Sequence, residues 1–124
     1  MPITLNATLR TARANAIVTE AGATAKLSVY TAGFTTLLYT STCGATLGTV
    51  GTPGVLTFGA VGNATAGAAG VAALARLFKT DGTTMVIDGL TVGVTGQNVN
   101  ITNTTIAVND VVTTSGATIT EGNP

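Results

Sequence analysis

From Leu27 to Ala75 the chain carries no charged residue at all. A stretch of that length must either cross a membrane or pack into a core. The first option fails on its own composition, because Gly33, Gly44, Gly48, Gly51, Pro53, Gly54 and Gly59 interrupt it. Threonines also stud it, so no apolar run approaches the roughly 18 to 20 residues that a membrane helix needs. What is left is an uncharged, Thr-, Val- and Gly-rich segment whose short apolar runs suit β-strands and whose glycines suit the turns between them.

The remainder of the chain fits the same picture. At 124 residues, with 45% hydrophobic and 8% charged residues, it has the size of one domain and too much apolar content for disorder. We expect a single domain over residues 1–124, with an N-terminal arm and helix over 1–22 and a β-sandwich over 23–124. Five Lys and Arg balance five Asp and Glu. A neutral chain without a basic patch lacks the attraction on which nucleic-acid and anionic-membrane binding depend, so neither partner is expected.

Residues Ala7 to Ala21 form the best helix candidate. Leu9, Ala12, Ala16 and Ile17 recur near helical spacing beside Arg10, Arg13 and Glu20, Asn6 or Thr8 can cap the start, and Gly22 supplies a stop. The clearest strands are Lys26 to Thr31, Thr35 to Ser41 and Gly54 to Phe58. Arg76 to Thr80 and Thr83 to Ile87 flank Asp81-Gly82, which predicts a hairpin whose tight turn has positive φ at both centres. Asp88-Gly89 predicts a further turn, and Asn98 to Thr102, Thr105 to Val112 and Ala117 to Glu121 alternate as strands. Between Gly67 and Leu77 the alanines favour a helix by propensity, but a strand from about Gly70 into the hairpin is the preferred reading. Turns every 8 to 12 residues are those of an antiparallel β-sandwich or jelly-roll-like domain, here with one short N-terminal α-helix.

Candidate chemistry is sparse. There is no His and no Trp, and Cys43 is the only cysteine, so His-based acid–base catalysis, intrachain disulfides and the familiar Cys/His zinc sites are unavailable. Asp81, Asp88 and Asp110 could meet over a cation, although the first two each precede Gly in a turn signature. The Gly-rich stretches lack the Gly-Lys-Ser/Thr ending and the G-x-G-x-x-G turn that cradle phosphate. Cys43 reads as a small buried hydrophobe. Tyr30, Tyr39, Phe34, Phe58 and Phe78 could form a stacking platform, but without a basic stripe they read as core. The four Asn-x-Thr triplets, at Asn6, Asn63, Asn100 and Asn103, are expected from Thr richness alone. No catalytic residue, metal, cofactor or small-molecule substrate is expected.

A longer pattern carries more information. Arg76-Leu77-Phe78-Lys79-Thr80-Asp81-Gly82-Thr83-Thr84-Met85-Val86-Ile87-Asp88-Gly89 is followed by Val92-Gly93, then Asn98-Val99-Asn100-Ile101, and finally Ala117-Thr118-Ile119-Thr120-Glu121. Upstream lie a helix with a basic N-terminal half, Lys26-Leu27-Ser28-Val29-Tyr30 and Thr36-Leu37-Leu38-Tyr39. Over most of its length this arrangement resembles a group of small virion proteins of tailed bacteriophages, often head decoration or cement proteins. It departs from the group in an Ala-rich stretch, Ala68 to Ala75, and in a shorter loop at Phe34 to Thr36.

The resemblance implies a non-enzymatic structural role on the outside of the phage head, where copies bridge neighbouring major capsid protein subunits and resist internal pressure. It implies self-association as a homodimer or homotrimer, synthesis in the host bacterial cytoplasm without a signal peptide, and location on the outer capsid surface. The apolar residues outside the strands place the contact face on Ile3, Leu5, Leu9, Arg10, Arg13 and Ile17. The alternative is a tail- or fibre-associated component, with a receptor- or glycan-binding surface at Tyr30, Tyr39 and the loops around Asn98 and Asn103.

Overall fold

A computed structural model describes residues 6–51 and 54–120. The one helix, α1 (Ala7–Ala21), has the expected limits. Asn6 is the cap, its Oδ1 accepting from the Leu9 N–H at 2.8 Å. Gly22 ends the helix at φ +69°, a conformation that costs glycine little, and its N–H closes the last turn on Val18 O.

Of the residues at helical spacing, only Ile17 lies on the buried side of α1. Ala14 and Ala21 are fully buried and Ile17 and Val18 pack on the core, while Leu9, Ala12 and Ala16 face outward. Closeness decides the rotation. A Cβ on Gly54 would lie 2.8 Å from the Arg10 carbonyl oxygen, so the helix backbone rests directly on this glycine. Small residues on the inner face permit that approach, whereas Leu9 there would hold the helix away.

The strands are β1 (Lys26–Tyr30), β2 (Leu37–Thr42), β3 (Gly48–Gly51), β4 (Val55–Phe58), β5 (Ala64–Thr65), β6 (Gly70–Val71), β7 (Leu74–Phe78), β8 (Met85–Gly93), β9 (Val99–Ile101), β10 (Thr105–Ile106), β11 (Val111–Val112) and β12 (Thr114–Thr120). Eight form one sheet in the order β2-β1-β7-β8-β9-β12-β4-β3, and β10–β6 and β11–β5 are two short ribbons. The chain is thus mainly β with one helix. The sheet curls around α1, which touches β3 and β4 at one end and β8 near the middle.

Strand alternation fills the interior. Leu27 and Val29 of β1 stand opposite Leu77 and Ala75 of β7, and Leu90, Val92, Val99, Ile101, Leu56 and Ala117 continue the same core. Each fully buried Leu or Ile contributes about 2 kcal/mol. The outer edge of β2 is closed by the following chain, since Gly62 N donates to Thr42 O and Gly67 N to Leu38 O. A covered edge does not recruit other strands.

Four expectations change. The Asp81-Gly82 hairpin exists, but of the pair only Gly82 has positive φ, and Asp81 uses its carboxylate instead. Asp88-Gly89 is no turn: β8 runs straight through it, and Gly89 at φ +78° accompanies a register shift against β7. A glycine at positive φ serves a bulge as well as a turn. Thr105 to Val112 is two strands split at Asn109, φ +74°. Finally, β8 and β9 pair in parallel, Val92 with Val99. The link between them is short for a parallel pair, and Asn98 makes it workable by bonding Thr91 through both its side chain and its N–H.

On the inner side of β2, Tyr39 is 3% exposed and its hydroxyl has no hydrogen-bond partner among the described residues. Burial pushes the phenol pKa up, so the group stays neutral. Tyr39→Phe removes an unsatisfied polar atom and is expected to stabilise the fold by about 1 kcal/mol. Thermal unfolding checks this, and a comparable loss of stability would mean the hydroxyl is satisfied after all.

Candidate interaction surface

Because Leu27 and Val29 point inward, Lys26, Ser28 and Tyr30 point to the other face of the sheet. Register places Arg76 opposite Ser28, and Leu74 and Leu37 opposite Tyr30. Tyr30, Arg76, Leu74 and Leu37, all at least part-exposed, make this face of β2-β1-β7-β8 the candidate interaction surface, while Ser28 is itself buried.

Its centre is Arg76. The guanidinium carbon lies 3.9 Å from the Phe34 ring centroid and 5.3 Å from that of Tyr30. The Nε donates to Asp88 Oδ1 at 2.9 Å. Tyr30 and Phe34 meet edge to face, with centroids 5.4 Å apart. The Asp88 hydrogen bond raises the Arg76 pKa further above its already high ordinary value, so the cation is permanent. Arg76 keeps 27% of its side chain exposed, and Leu37, about half exposed, lies opposite Tyr30 in the pairing of β1 with β2.

The backbone supports this arrangement at a cost. Phe34 sits at φ +56°, a region that an aromatic residue rarely adopts and that costs about 1 to 2 kcal/mol. Hydrogen bonds hold the loop there: Phe34 N donates to Thr31 O, Thr31 N to Thr36 O, and Thr36 N to Thr31 Oγ1. On the opposite strand the Gly89 bulge brings Asp88 to Arg76. A strained Phe34 on one side and a glycine bulge on the other therefore converge on one guanidinium.

The residues expected to form the contact face are divided. Leu9 and Arg13 are exposed on α1, Arg10 is half-buried beside Gly54, and Ile17 is half-buried and packs against the core. Ile3 and Leu5 lie outside the described residues. Of the aromatic candidates, Tyr39, Phe58 and Phe78 are buried, which removes Tyr39 from any glycan-binding surface. Asn98 is engaged with Thr91 and Thr118.

The three aspartates do not converge. Asp88 holds Arg76, Asp110 Oδ2 accepts from Ala107 N, and Asp81 accepts from Thr83 N, Thr84 N and Thr84 Oγ1. No group of three His, Cys, Asp or Glu residues among the described residues could hold a metal ion. Burial raises the Cys43 thiol pKa to about 11, with Lys26 pulling the other way, so the thiol is protonated at neutral pH. Among the described residues no helix is long and apolar enough to cross a membrane.

The Thr84 and Thr83 donors lower the Asp81 pKa to about 2 from an ordinary 3.8. A depressed carboxylate stabilises the fold above its unfolded pKa, and that contribution disappears as the pH falls through the folded value. Carboxyl-carbon NMR is therefore expected to show Asp81 titrating near 2, with the hairpin tip loosening between about pH 4 and 2. A midpoint near 3.8 would show that the hydrogen bonds do not persist in solution.

The cluster could not be read directly from sequence, because a regular hairpin about Asp81-Gly82 aligns Arg76 with Ile87, not with Asp88. The sequence signal for it is the Asp88-Gly89 dipeptide, because a glycine at positive φ serves a bulge as well as a turn. Comparison of the chain with protein families, with curated proteins and with solved structures found no match.

Proposed function

We propose that this chain is a structural virion protein of a tailed bacteriophage, a decoration or cement protein that binds the outside of the head lattice and bridges major capsid protein subunits. Support comes from the sequence resemblance and from the character of the surface. The observation that carries most weight is the outer sheet face, where a pinned arginine and two aromatic rings lie beside half-exposed Leu37. Arginine and tyrosine in such settings dominate protein interfaces. Zero net charge leaves no long-range repulsion between copies crowded on a lattice.

In this reading the sheet face and the exposed side of α1, with Leu9 and Arg13, divide the contacts between capsid and a second copy of the chain. The curled sheet is read as one half-closed form of a jelly-roll-like sandwich, with β2-β1-β7 and β12-β4-β3 as its two walls. Many modest contacts repeated over the lattice supply the stabilisation, and no catalytic step is involved. The test is co-sedimentation with expanded heads stripped of the protein. Saturable binding to expanded heads, and a raised head melting temperature, is the expected result; no binding would overturn the proposal.

A further inference from the structure

We infer that the cleft between β10 and β11 is a binding site for a neutral sugar ring. The loop from Thr102 to Val112 encloses an open cavity of about 170 Å3. Thr102, Asn103, Thr105 and Asp110 line its polar side, and exposed Val111 with the buried Ile106 and Val112 its apolar side.

The loop is fixed before any ligand arrives. Asp110 Oδ2 accepts from Ala107 N at 2.8 Å and Asp110 N donates to Ala107 O. Asn109 N donates to Ala66 O, and Ala66 N to Asp110 O, both at 2.8 Å. Asn103 Oδ1 accepts from Thr105 N at 3.0 Å. These bonds leave Asp110 Oδ1 as an acceptor and Asn103 Nδ2 as a donor without a hydrogen bond among the described residues. Asn109 at φ +74° pays backbone strain to keep this shape.

The lining selects the ligand class. No cation faces the cleft, so phosphates and carboxylates gain nothing there. No aromatic ring lines it, which removes the stacking that a nucleobase requires. A single carboxylate is too little for a metal ion. Among uncharged ligands, the lining suits a small molecule that both donates and accepts hydrogen bonds and has an apolar flank. A carboxylate oxygen and an amide N–H2 lining the same cleft match the donor and acceptor of neighbouring sugar hydroxyls, and exposed Val111, with the edges of Ile106 and Val112, matches the C–H face of the ring. The cavity is small and open, so affinity is expected in the millimolar range. This inference does not depend on the decoration reading, because the cleft lies apart from the Arg76 cluster in residues and in chemistry.

The test is an amide NMR titration of the whole chain with D-glucose, D-galactose, D-mannose and N-acetyl-D-glucosamine. At least one sugar is expected to give saturable shifts at residues 102–112, and Asp110→Asn, which keeps the shape but not the charge, is expected to weaken binding at least tenfold. Asn103→Ala provides the same reading if Asp110→Asn disturbs the fold. Absence of a saturable shift with all four sugars, or unchanged binding in folded variants, would overturn the inference.

Discussion

Gly48→Ala is expected to destabilise the protein by about 3 kcal/mol, lowering the melting temperature by about 10 °C, whereas Gly51→Ala in the same strand is expected to be nearly neutral. The difference is geometric. A Cβ on Gly48 would fall on the Thr57 carbonyl oxygen and within 2.8 Å of Phe58 Cα, both of them backbone atoms of the paired strand. Neither can swing aside as a side chain could, so β3 must separate from β4 or lose its register. At Gly51 the nearest atom is Val55 O at 4.0 Å, and an added methyl also restricts the unfolded chain. Because α1 packs on both β3 and β4, the damage at Gly48 should extend to the helix. Thermal and denaturant unfolding of the two variants decides the matter. Equal effects at the two positions would contradict the close approach.

The second large effect is expected at Arg76. Arg76→Ala leaves Asp88 without its partner and Phe34 without the group it covers. The fold should lose about 1 kcal/mol, since an exposed ion pair and a cation–aromatic contact are each modest. Binding to expanded heads should fall much further, by about 30-fold or more, if the cluster is the centre of the contact face. Arg76→Lys keeps the charge but not the planar group that stacks on Phe34, and it should recover only part of the affinity. A folded Arg76→Ala variant that binds heads as tightly as the parent would move the contact elsewhere, with Leu9 and Arg13 on α1 the next place to look.

Local features were legible where one residue type has one physical use. Asn6 and Gly22 bracket a helix because a side-chain acceptor and a positive φ are what helix ends require. The hairpin about Asp81-Gly82 followed from similar chemistry. Legibility failed where one signal has two uses. Asp88-Gly89 reads equally as a turn or a bulge, and only the run of β7 beside it shows which. Periodicity alone groups Leu9 with Ile17, but the contact between α1 and Gly54 turns small residues inward and leaves Leu9 exposed, and that contact joins positions far apart in the chain. The Tyr30, Phe34, Arg76 and Asp88 cluster needs three register relations and a strained Phe34 at once, and no local pattern announces them together. The cleft at Asn103 and Asp110 likewise depends on Ala66, which holds the loop from a distant strand.

The proposal that this is a head decoration protein is tested most directly by counting its copies in purified particles of the source virus against the major capsid protein. Quantitative mass spectrometry suffices. The expected result is on the order of hundreds of copies per particle, in a fixed ratio to the capsid lattice. A few to a few dozen copies would place the chain in the tail or fibre instead, and its absence from the particle would contradict a virion role altogether.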